Sequence, residues 1–181
     1  VPYWGKAEDL IKHFKKFMHH ITFKNPKHWS THMPLLIKAL GATKGTVVEV
    51  GGGVFSTPLL HWLCKMQGRR LITYENEAQF MAFSKEFQSV QHSVRLIEDW
   101  DAMDFKSHRG VVFIDHHPEF RRGLDAIRFK NSADIIVMHD TERPEKYNYS
   151  DVWKHFKYVY HYKDCRPWTS MVSNTIDVTK L

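Results

Sequence analysis

From residue 46 onward, short apolar runs rich in β-branched residues alternate with segments of helical periodicity. The predicted strands cover 46–50, 70–74, 94–97, 111–114 and 135–138, and the predicted helices between them cover 56–66, 77–87 and 118–129. This alternation is typical of a parallel sheet with helices on both faces. Two later runs, 156–162 and 169–178, have only a loop between them, which predicts an antiparallel hairpin. We therefore predict an α/β fold: a Rossmann-like three-layer sandwich whose mostly parallel sheet ends in a C-terminal antiparallel β-hairpin.

Residues 1–44 differ from the rest of the chain in charge and in pattern. They carry eight lysines against two acidic residues, whereas the remainder is balanced. Apolar residues between 10 and 21 recur at helical spacing, and a second helix is predicted to start after Ser30 as N-cap and to end at Gly41. We predict one domain, with 1–44 as a helical cap on the substrate side and 45–181 as the core. The lysines indicate an anionic partner or substrate, or simply a solvated helix face.

Two details of the helices are predicted from single residues. Pro34 is placed in the first turn of the second helix, where its missing N–H costs nothing. Pro118 is placed to open the helix that follows the fourth strand, with Leu124, Ile127 and Phe129 facing inward.

The composition narrows the class of protein. A hydrophobic content of 43% favours a globular fold over disorder. No apolar run approaches the ~20 residues that span a bilayer, so no membrane partner is expected. The two cysteines, Cys64 and Cys165, make neither a disulfide framework nor a metal spacing, and the histidine pairs at 19–20 and 116–117 lack the spacing of a zinc site. We expect a reduced, cytoplasmic setting.

Every predicted strand ends next to an acidic residue. The segments that follow the five strands are 49–53 (EVGGG), 75–76 (EN), 98–100 (EDW), 115–117 (DHH) and 139–141 (HDT). In an open α/β sheet the ligand lies in the crevice outside the strand carboxyl ends, so these segments are expected to share one site. Glycines permit close approach of a ligand to the backbone, and an acid after the second strand can accept hydrogen bonds from ribose hydroxyls. Several carboxylates together suit a cofactor that carries positive charge.

This ordered series resembles the class I S-adenosylmethionine-dependent methyltransferases. Glu49-x-Gly51-x-Gly53 matches their first motif, Glu75 falls at their ribose-binding acid, and Asp99 falls at the acid near adenine. The resemblance covers about 30–178. It implies that S-adenosylmethionine is held by Glu49, Gly51, Gly52, Gly53, Ser56, Thr57, Glu75, Asn76, Asp99, Trp100 and Asp115.

The segments after the fourth and fifth strands are similar to those of the catechol O-methyltransferase-like branch of that family. The resemblance implies Mg²⁺ ligated by Asp115, Asp140 and Thr141, although a threonine hydroxyl is a poorer ligand than the asparagine of the branch. The general-base lysine of the branch is replaced by Pro118. We therefore take Asp115, His117 and Asp140 as catalytic candidates, with His116 and His139 as alternative bases. In a simpler interpretation, Asp115 contacts the cofactor, Asp140 forms a turn and the histidines are loop residues.

Residues 30–32 come just before the first strand of the core. We expect this segment either to close over the amino-acid end of the cofactor or to cap a helix; its residues are Ser30, Thr31 and His32.

The predicted activity is S-adenosylmethionine-dependent methyl transfer (class EC 2.1.1) to a hydroxyl of a small molecule, with or without help from Mg²⁺. The acceptor pocket is expected between the amino-terminal helix and the loops after Asp115 and Asp140, including 142–149. A nucleic-acid methyltransferase is one alternative, with RNA or DNA bound by the basic segment and Trp29; the Asn/Asp-Pro-Pro-aromatic motif of many such enzymes is missing. The lysines concerned are Lys12, Lys15, Lys16, Lys24 and Lys27.

Two further hypotheses keep a nucleotide pocket. One is a catalytically silent protein that binds S-adenosylmethionine or a nucleotide. The second is a dinucleotide-dependent oxidoreductase, which is disfavoured because Ser56 stands where the dinucleotide fingerprint places Gly or Ala, and because Glu49 faces the pyrophosphate position.

Overall fold

The computed structural model describes residues 28–181, in which a single sheet of seven strands is built. The strands are β1 Val47–Val50, β2 Leu71–Glu75, β3 His92–Leu96, β4 Arg109–Ile114, β5 Ala133–His139, β6 Tyr158–Tyr162 and β7 Thr169–Ser173. The α-helices are α1 Met33–Ala42, α2 Ser56–Met66, α3 Ala78–Lys85 and α4 Arg122–Arg128. Short 3-10 helices cover Trp100–Ala102, Glu119–Arg121, Val152–His155 and Val178–Lys180.

The strand order is β3-β2-β1-β4-β5-β7-β6. Strands β1 to β5 pair in parallel, and β7 inserts antiparallel between β5 and β6. This confirms the predicted α/β sandwich with a carboxyl-terminal antiparallel hairpin. The chain order reverses beside β1, because β2 lies on one side of it and β4 on the other. That reversal opens a crevice at the strand carboxyl ends, which is where ligands bind in open sheets of this kind.

Apolar side chains on the two faces of the sheet form two separate cores. On one face, α1 and α2 cover Val47, Val111 and Phe113. On the other face, α4 and the loops cover Val48, Val112 and other strand residues. Alternate residues of each strand point to opposite faces, and all six residues of β4 are buried, as expected for a central parallel strand. The three layers were thus predictable from the strand pattern.

Two details of the helices differ from prediction. Helix α1 keeps Pro34 in its first turn, but its N-cap is His32 rather than Ser30, and no side chain caps it. In α4, Leu124 is half exposed and not inward, whereas Phe129 is buried as expected. The reason is that α4 starts only at Arg122, and its first turn directs Gly123 and Asp125 inward, which places Leu124 on the outer side.

The predicted amphipathic helix at 10–21 and the lysines before residue 28 lie outside the described residues. The division of the chain at residue 44 therefore remains a prediction. Within the first segment, α1 packs on the same sheet face as α2 and buries Leu35, Leu36 and Leu40. Between residues 28 and 181, none of the helices combines the length and the apolar character that crossing a bilayer requires.

Candidate functional site

A cavity of about 300 Å³ opens at the carboxyl edge of the sheet. Each of β1, β2, β4 and β5 contributes to its wall. The strand-end residues that line it include Gly52, Gly53, Glu75, Asp115, His117 and Asp140, joined by Ser56 from α2 and by His32 from the start of α1. The edge of the sheet thus brings together much of the set that the sequence singled out.

The floor of the cavity is a glycine turn. Gly51 has φ +91°, a conformation that side-chain-bearing residues rarely adopt, and a Cβ added there would lie 2.6 Å from the carbonyl oxygen of Asp115. The turn therefore passes against the backbone after β4. Only glycine satisfies both demands.

Glu49 lies beneath the glycine turn and is fully buried, outside the cavity lining. Its carboxylate accepts hydrogen bonds from the hydroxyls of Thr57 (3.0 Å) and Thr73 (2.6 Å), and Thr57 in turn accepts from the N–H of Gly53. Burial raises the pKa of Glu49 to about 7 against the opposing effect of these hydroxyls. Glu49 and Thr57 thus hold the glycine turn in position from below. They would affect a bound ligand by positioning this turn, because neither residue lines the cavity.

Glu75 lines the cavity and is held by backbone donors. One carboxylate oxygen accepts from the N–H groups of Asn76 and Glu77, and the other accepts from the N–H of Gly52, each at 2.7 Å. Burial raises the pKa of Glu75, and the three backbone hydrogen bonds oppose that shift. A carboxylate has about four acceptor positions, so one is left for a ligand hydroxyl.

Three more of the predicted cofactor contacts lie at the margin. Asn76 donates to the carbonyl of His117 at 3.1 Å. Asp99 is exposed and its side chain accepts from the N–H of Asp101, capping a 3-10 turn. Trp100 is buried, donates to the same His117 carbonyl at 2.8 Å and packs on the ring of His116. None of the three is part of the cavity lining among the described residues, and their contacts with an adenine remain predictions.

Arg122 lies between the two acids predicted to bind Mg²⁺. Its Nη1 is 2.7 Å from Asp115 Oδ1 and donates to Asp140 Oδ2 at 2.9 Å, while Nε donates to the carbonyl of His116. Asp140 adopts φ +58°, an uncommon conformation for a residue with a side chain, which aims its carboxylate at this guanidinium. The hydroxyl of Thr141 accepts from Ser170.

These contacts test the fit of Mg²⁺. A guanidinium already balances both carboxylates, and the third donor is engaged with the hairpin. Asp115, Asp140 and Thr141 as they lie do not fit a magnesium ion, and we derive no step through one.

His139 forms an ion pair with Asp115 on the other side. Its Nδ1 lies 3.1 Å from Asp115 Oδ2, and its Nε2 lies 3.0 Å from the hydroxyl of Thr31. The single Thr31 proton goes to the carbonyl of Pro167, so Nε2 must carry the hydrogen in its contact with Thr31. Burial alone would lower the pKa of His139, but the charge of Asp115 raises it. Because Nδ1 faces the carboxylate of Asp115, this pairing favours the imidazolium form of His139.

Asp115 therefore faces two cations. Burial would raise the pKa of its carboxyl group, but Arg122 and His139 hold that pKa well below its usual range. Asp115 is an ionised carboxylate and not a proton donor at neutral pH.

His32 faces the same carboxylate from α1. The residue is 2% exposed, and neither ring nitrogen has a hydrogen-bond partner among residues 28–181. The ring lies 4.7 Å from that of Phe113 and 4.9 Å from that of His139, centroid to centroid. Burial, reinforced by the charge of His139, lowers the pKa of His32 to about 3, so the imidazole is neutral.

The neighbouring histidines of the fourth strand end differ in environment. His116 is buried and pairs with the buried Asp125 at 3.0 Å, which gives it a structural partner. His117 is half exposed at the cavity, with Nδ1 3.3 Å from Glu119 and Nε2 4.0 Å from Glu77. Of the two, His117 is the one placed to meet a substrate.

Sequence reasoning missed Arg122 and the grouping of His32 with Asp115 and His139. Arg122 belongs to a helix and carries no motif signal. The grouping joins residues 83 and 24 positions apart along the chain. One sequence signal could have indicated the grouping: His139 is the last residue of a predicted strand end, and the carboxyl ends of parallel strands lie at the same edge of the sheet.

Comparisons with known proteins agree on the fold. No protein-family model matches the sequence, and no curated protein matches it. Among solved structures, the chain is similar to the SAH-bound methyltransferase PaMTH1 of Podospora anserina, with 10% identity and TM-score 0.62, covering 96% of this chain and 97% of that one. It is similar to a putative O-methyltransferase from Klebsiella pneumoniae, with 12% identity and TM-score 0.60, covering 97% and 92%.

A third similar structure is the N-terminal domain of human METTL16 in complex with SAH, with 13% identity and TM-score 0.60, covering 86% of this chain and 73% of that one. The strand order and these likenesses confirm that the chain has the fold of the class I S-adenosylmethionine-dependent methyltransferases.

The cavity itself is compatible with a cofactor of that kind. A sulfonium donor is positively charged and bears an adenosyl ribose. The wall offers the acids Glu75 and Glu77 beside the glycine turn, whereas Asp115 and Asp140 are already paired with Arg122. Glu75 has an acceptor position left, and a Cβ on Gly53 would lie 2.8 Å from Ser56 Oγ, so a larger residue there would have to displace that hydroxyl. The residues present fit the group.

Proposed function

We propose that this protein is an S-adenosylmethionine-dependent methyltransferase that acts on a hydroxyl group of a small molecule. The observation that carries the proposal is Glu75: a buried acid at the end of β2, fixed by three backbone N–H groups beside the glycine turn, with capacity for one more donor. Such an acid suits a ribose hydroxyl. When bound, the cofactor would supply an electrophilic methyl group.

In this proposal the chain contributes binding and orientation. Gly51, Gly52, Gly53 and Ser56 hold the donor from below, and Glu75 fixes its ribose. The half-exposed His117 lies at the cavity, paired with Glu119, and is placed to take a proton from an acceptor hydroxyl. Holding donor and acceptor in line is itself worth several orders of magnitude in rate.

Small hydroxyl compounds are favoured as acceptors by the size and lining of the cavity. It holds about 300 Å³, and within residues 28–181 its inner wall carries ionised side chains and imidazoles. The nucleic-acid alternative depends on lysines before residue 28 and is an outcome of the test below.

The first experiment measures cofactor binding. Isothermal titration calorimetry of the full chain is expected to show binding of S-adenosylmethionine and S-adenosylhomocysteine and none of NAD(H). Glu75→Ala should weaken binding by about 10-fold or more, because a hydrogen bond to a charged group contributes about 1.5–3 kcal/mol. The matched control is Glu86→Ala, an exposed glutamate at the end of α3, which should bind like the unmodified chain.

A second variant guards against loss of folding. Phe80 lines the cavity and is only partly buried, so Phe80→Ala should stay folded by circular dichroism while binding the cofactor less tightly. No heat or thermal shift with either cofactor form would refute the proposal.

The second experiment follows S-adenosylhomocysteine release with phenols, sugars, amines and RNA as acceptors. Turnover with a hydroxyl compound, reduced in His117→Gln, supports the proposal. Turnover with RNA alone would replace it with the nucleic-acid alternative. Binding without turnover of any acceptor would indicate a silent binding protein and contradict the activity.

A further inference from the structure

We propose that His32, Asp115 and His139 form a binding site for one divalent transition-metal ion of the Zn²⁺ or Fe²⁺ type at the inner wall of the cavity. One donor atom from each residue lies within 4.8 Å of the other two. All three residues line the same cavity. The site is distinct from the magnesium set Asp115, Asp140 and Thr141, with which it shares only Asp115.

His32 is the observation that points to a ligand. It is 2% exposed, and both of its ring nitrogens are buried without a hydrogen-bond partner. An unsatisfied buried polar group costs about 1–3 kcal/mol, so its presence needs an explanation. A metal ion bound through a ring nitrogen uses that lone pair.

The other two residues, His139 and Asp115, already have outer hydrogen bonds of the kind that orient metal ligands. The Nε2–H of His139 is directed at the hydroxyl of Thr31, which fixes the ring and leaves Nδ1 facing the centre of the cluster. Arg122 holds Asp115 Oδ1, which leaves Oδ2 facing His139. Outer contacts of this type orient ligands and increase metal affinity.

Binding replaces one proton. The Nδ1 proton of His139, which now contacts Asp115 Oδ2, is released to solvent, and the metal takes its place between the imidazole and the carboxylate. Donors about 2.0–2.2 Å from a metal lie roughly 3–4 Å apart, so the cluster needs only a slight contraction from its present spread.

The donor set selects the class of metal. Two imidazole nitrogens and one carboxylate suit Zn²⁺, Fe²⁺, Co²⁺ or Ni²⁺, whereas Mg²⁺ and Ca²⁺ prefer oxygen ligands alone. Three protein ligands leave coordination positions open towards the cavity. The occupant of those positions is an oxygen or nitrogen of whatever the cavity binds. This last point rests on the proposed function, and the metal site itself does not.

The test uses Co²⁺ as a spectroscopic probe, without any methyl donor. Purified full chain is stripped with a chelator and titrated with Co²⁺ under visible absorption and calorimetry, and then with competing Zn²⁺. We expect one Co²⁺ per chain, visible d–d bands and their loss on addition of Zn²⁺. Mg²⁺ in excess should not displace Co²⁺.

Variants identify the ligands. His32→Gln removes a side chain without hydrogen bonds, so the fold is retained, and Co²⁺ affinity should fall by about 10-fold or more. The control is His108→Gln, because His108 also contacts an aspartate, Asp134 at 2.9 Å, but lies at the surface and belongs to no cluster. Thr31→Val, which removes the outer contact of His139, should weaken Co²⁺ binding less than His32→Gln.

Two results would overturn the site: no Co²⁺ binding by the unmodified chain, or binding by His32→Gln equal to that of the unmodified chain. Cofactor calorimetry on the same stripped sample separates this failure from that of the proposed function. A sample that binds S-adenosylhomocysteine but no Co²⁺ refutes only the metal site, and the reverse result refutes only the methyltransferase.

Discussion

Arg122 is buried, with 3% of its surface exposed, so its positively charged guanidinium lies in the interior of the site. Its guanidinium contacts both Asp115 and Asp140 and lies over the ring of Tyr147 at 4.8 Å. A charge is tolerated at such a position only when it is paired and hydrogen-bonded. The positive charge of Arg122 therefore allows two carboxylates, Asp115 and Asp140, to lie close together at adjacent strand ends.

Arg122→Met should lower the free energy of unfolding by about 3 kcal/mol or more at pH 7, because it removes the guanidinium that pairs with Asp140 and leaves Asp115 with His139 in place of two cations. Arg122→Lys should recover only part of this loss, since an ammonium cannot match a guanidinium that contacts two groups and donates a third hydrogen bond. Urea denaturation followed by circular dichroism measures both.

Arg95→Met serves as the control for Arg122→Met. Arg95 is an exposed arginine on β3 whose loss should change the unfolding free energy by about 0.5 kcal/mol or less. Equal effects of the two methionine variants would mean that the buried guanidinium is not needed to hold the acids.

At the scale of residues, the sequence predicted the acids but not their partners. Glu75, Asp115 and Asp140 follow strands, and parallel strands end at one edge, so their convergence follows from the pattern. Arg122 reaches that edge from the first turn of α4, and His32 reaches it from the cap of α1. Both depend on how helices pack on the sheet, which no local pattern encodes.

At the scale of elements, a chain of polar contacts crosses the buried side of the sheet beneath the glycine turn. Glu49 on β1 accepts from Thr73 on β2, and Thr73 lies 2.8 Å from Nε2 of His92 on β3. His92 Nδ1 in turn lies 3.2 Å from Nδ1 of His61 on α2. Because Thr73 gives its only proton to Glu49, the hydrogen in its contact with His92 belongs to Nε2.

Thr73→Val should lower the free energy of unfolding by about 1–3 kcal/mol, because a side chain of the same shape removes one hydrogen bond each from Glu49 and His92. The matched control is Thr169→Val on β7. Both threonines are 0% exposed, but the Thr169 hydroxyl has no partner. Its removal should be neutral or stabilising. If the two variants have the same effect, the chain of contacts contributes nothing to stability.

The same contacts explain why the third strand begins earlier than its sequence pattern predicts. The pattern places its start at residue 94, but β3 starts at His92, which pairs with Leu71. His92 is buried at the start of this edge strand, where Thr73 on β2 supplies its polar partner. The parallel pairing of β1 to β5, in contrast, was predicted from the alternation with helices, which supply the crossover connections between parallel strands, whereas the order of these strands was not predicted.

At the scale of the whole molecule, this buried network contains two groups that titrate in opposite senses. Burial raises the pKa of Glu49 to about 7, and burial, with the charge of His61, lowers the pKa of His92 to about 4. The folded state therefore binds the Glu49 proton more tightly than the unfolded chain does, and the His92 proton less tightly. Between about pH 4.5 and 6.5 the two contributions to the pH dependence of stability oppose each other.

The protonated form of Glu49 favours folding, so its contribution is complete below pH 4.5, the ordinary pKa of a glutamate, and is lost as the pH rises through about 7. Glu49→Gln removes this dependence. The unfolding free energy of the unmodified chain minus that of the variant should fall by about 3 kcal/mol between pH 4.5 and 8. On acidification from pH 7 to 5, the variant should lose stability more steeply than the unmodified chain, because Glu49 no longer opposes the contributions of His92 and His61.

Urea denaturation at half-unit pH steps, with chelator present, measures this difference for Glu49→Gln and for the exposed control Glu86→Gln. The control curve should run parallel to that of the unmodified chain, since Glu86 is exposed and lies outside the buried network. Glu75 contributes in the same sense as Glu49, because burial raises its pKa also, but it is present in both chains and cancels in the subtraction. Parallel curves for Glu49→Gln as well would mean that Glu49 is ionised throughout. The network beneath the glycine turn would then contain the carboxylate form of Glu49 rather than its protonated form.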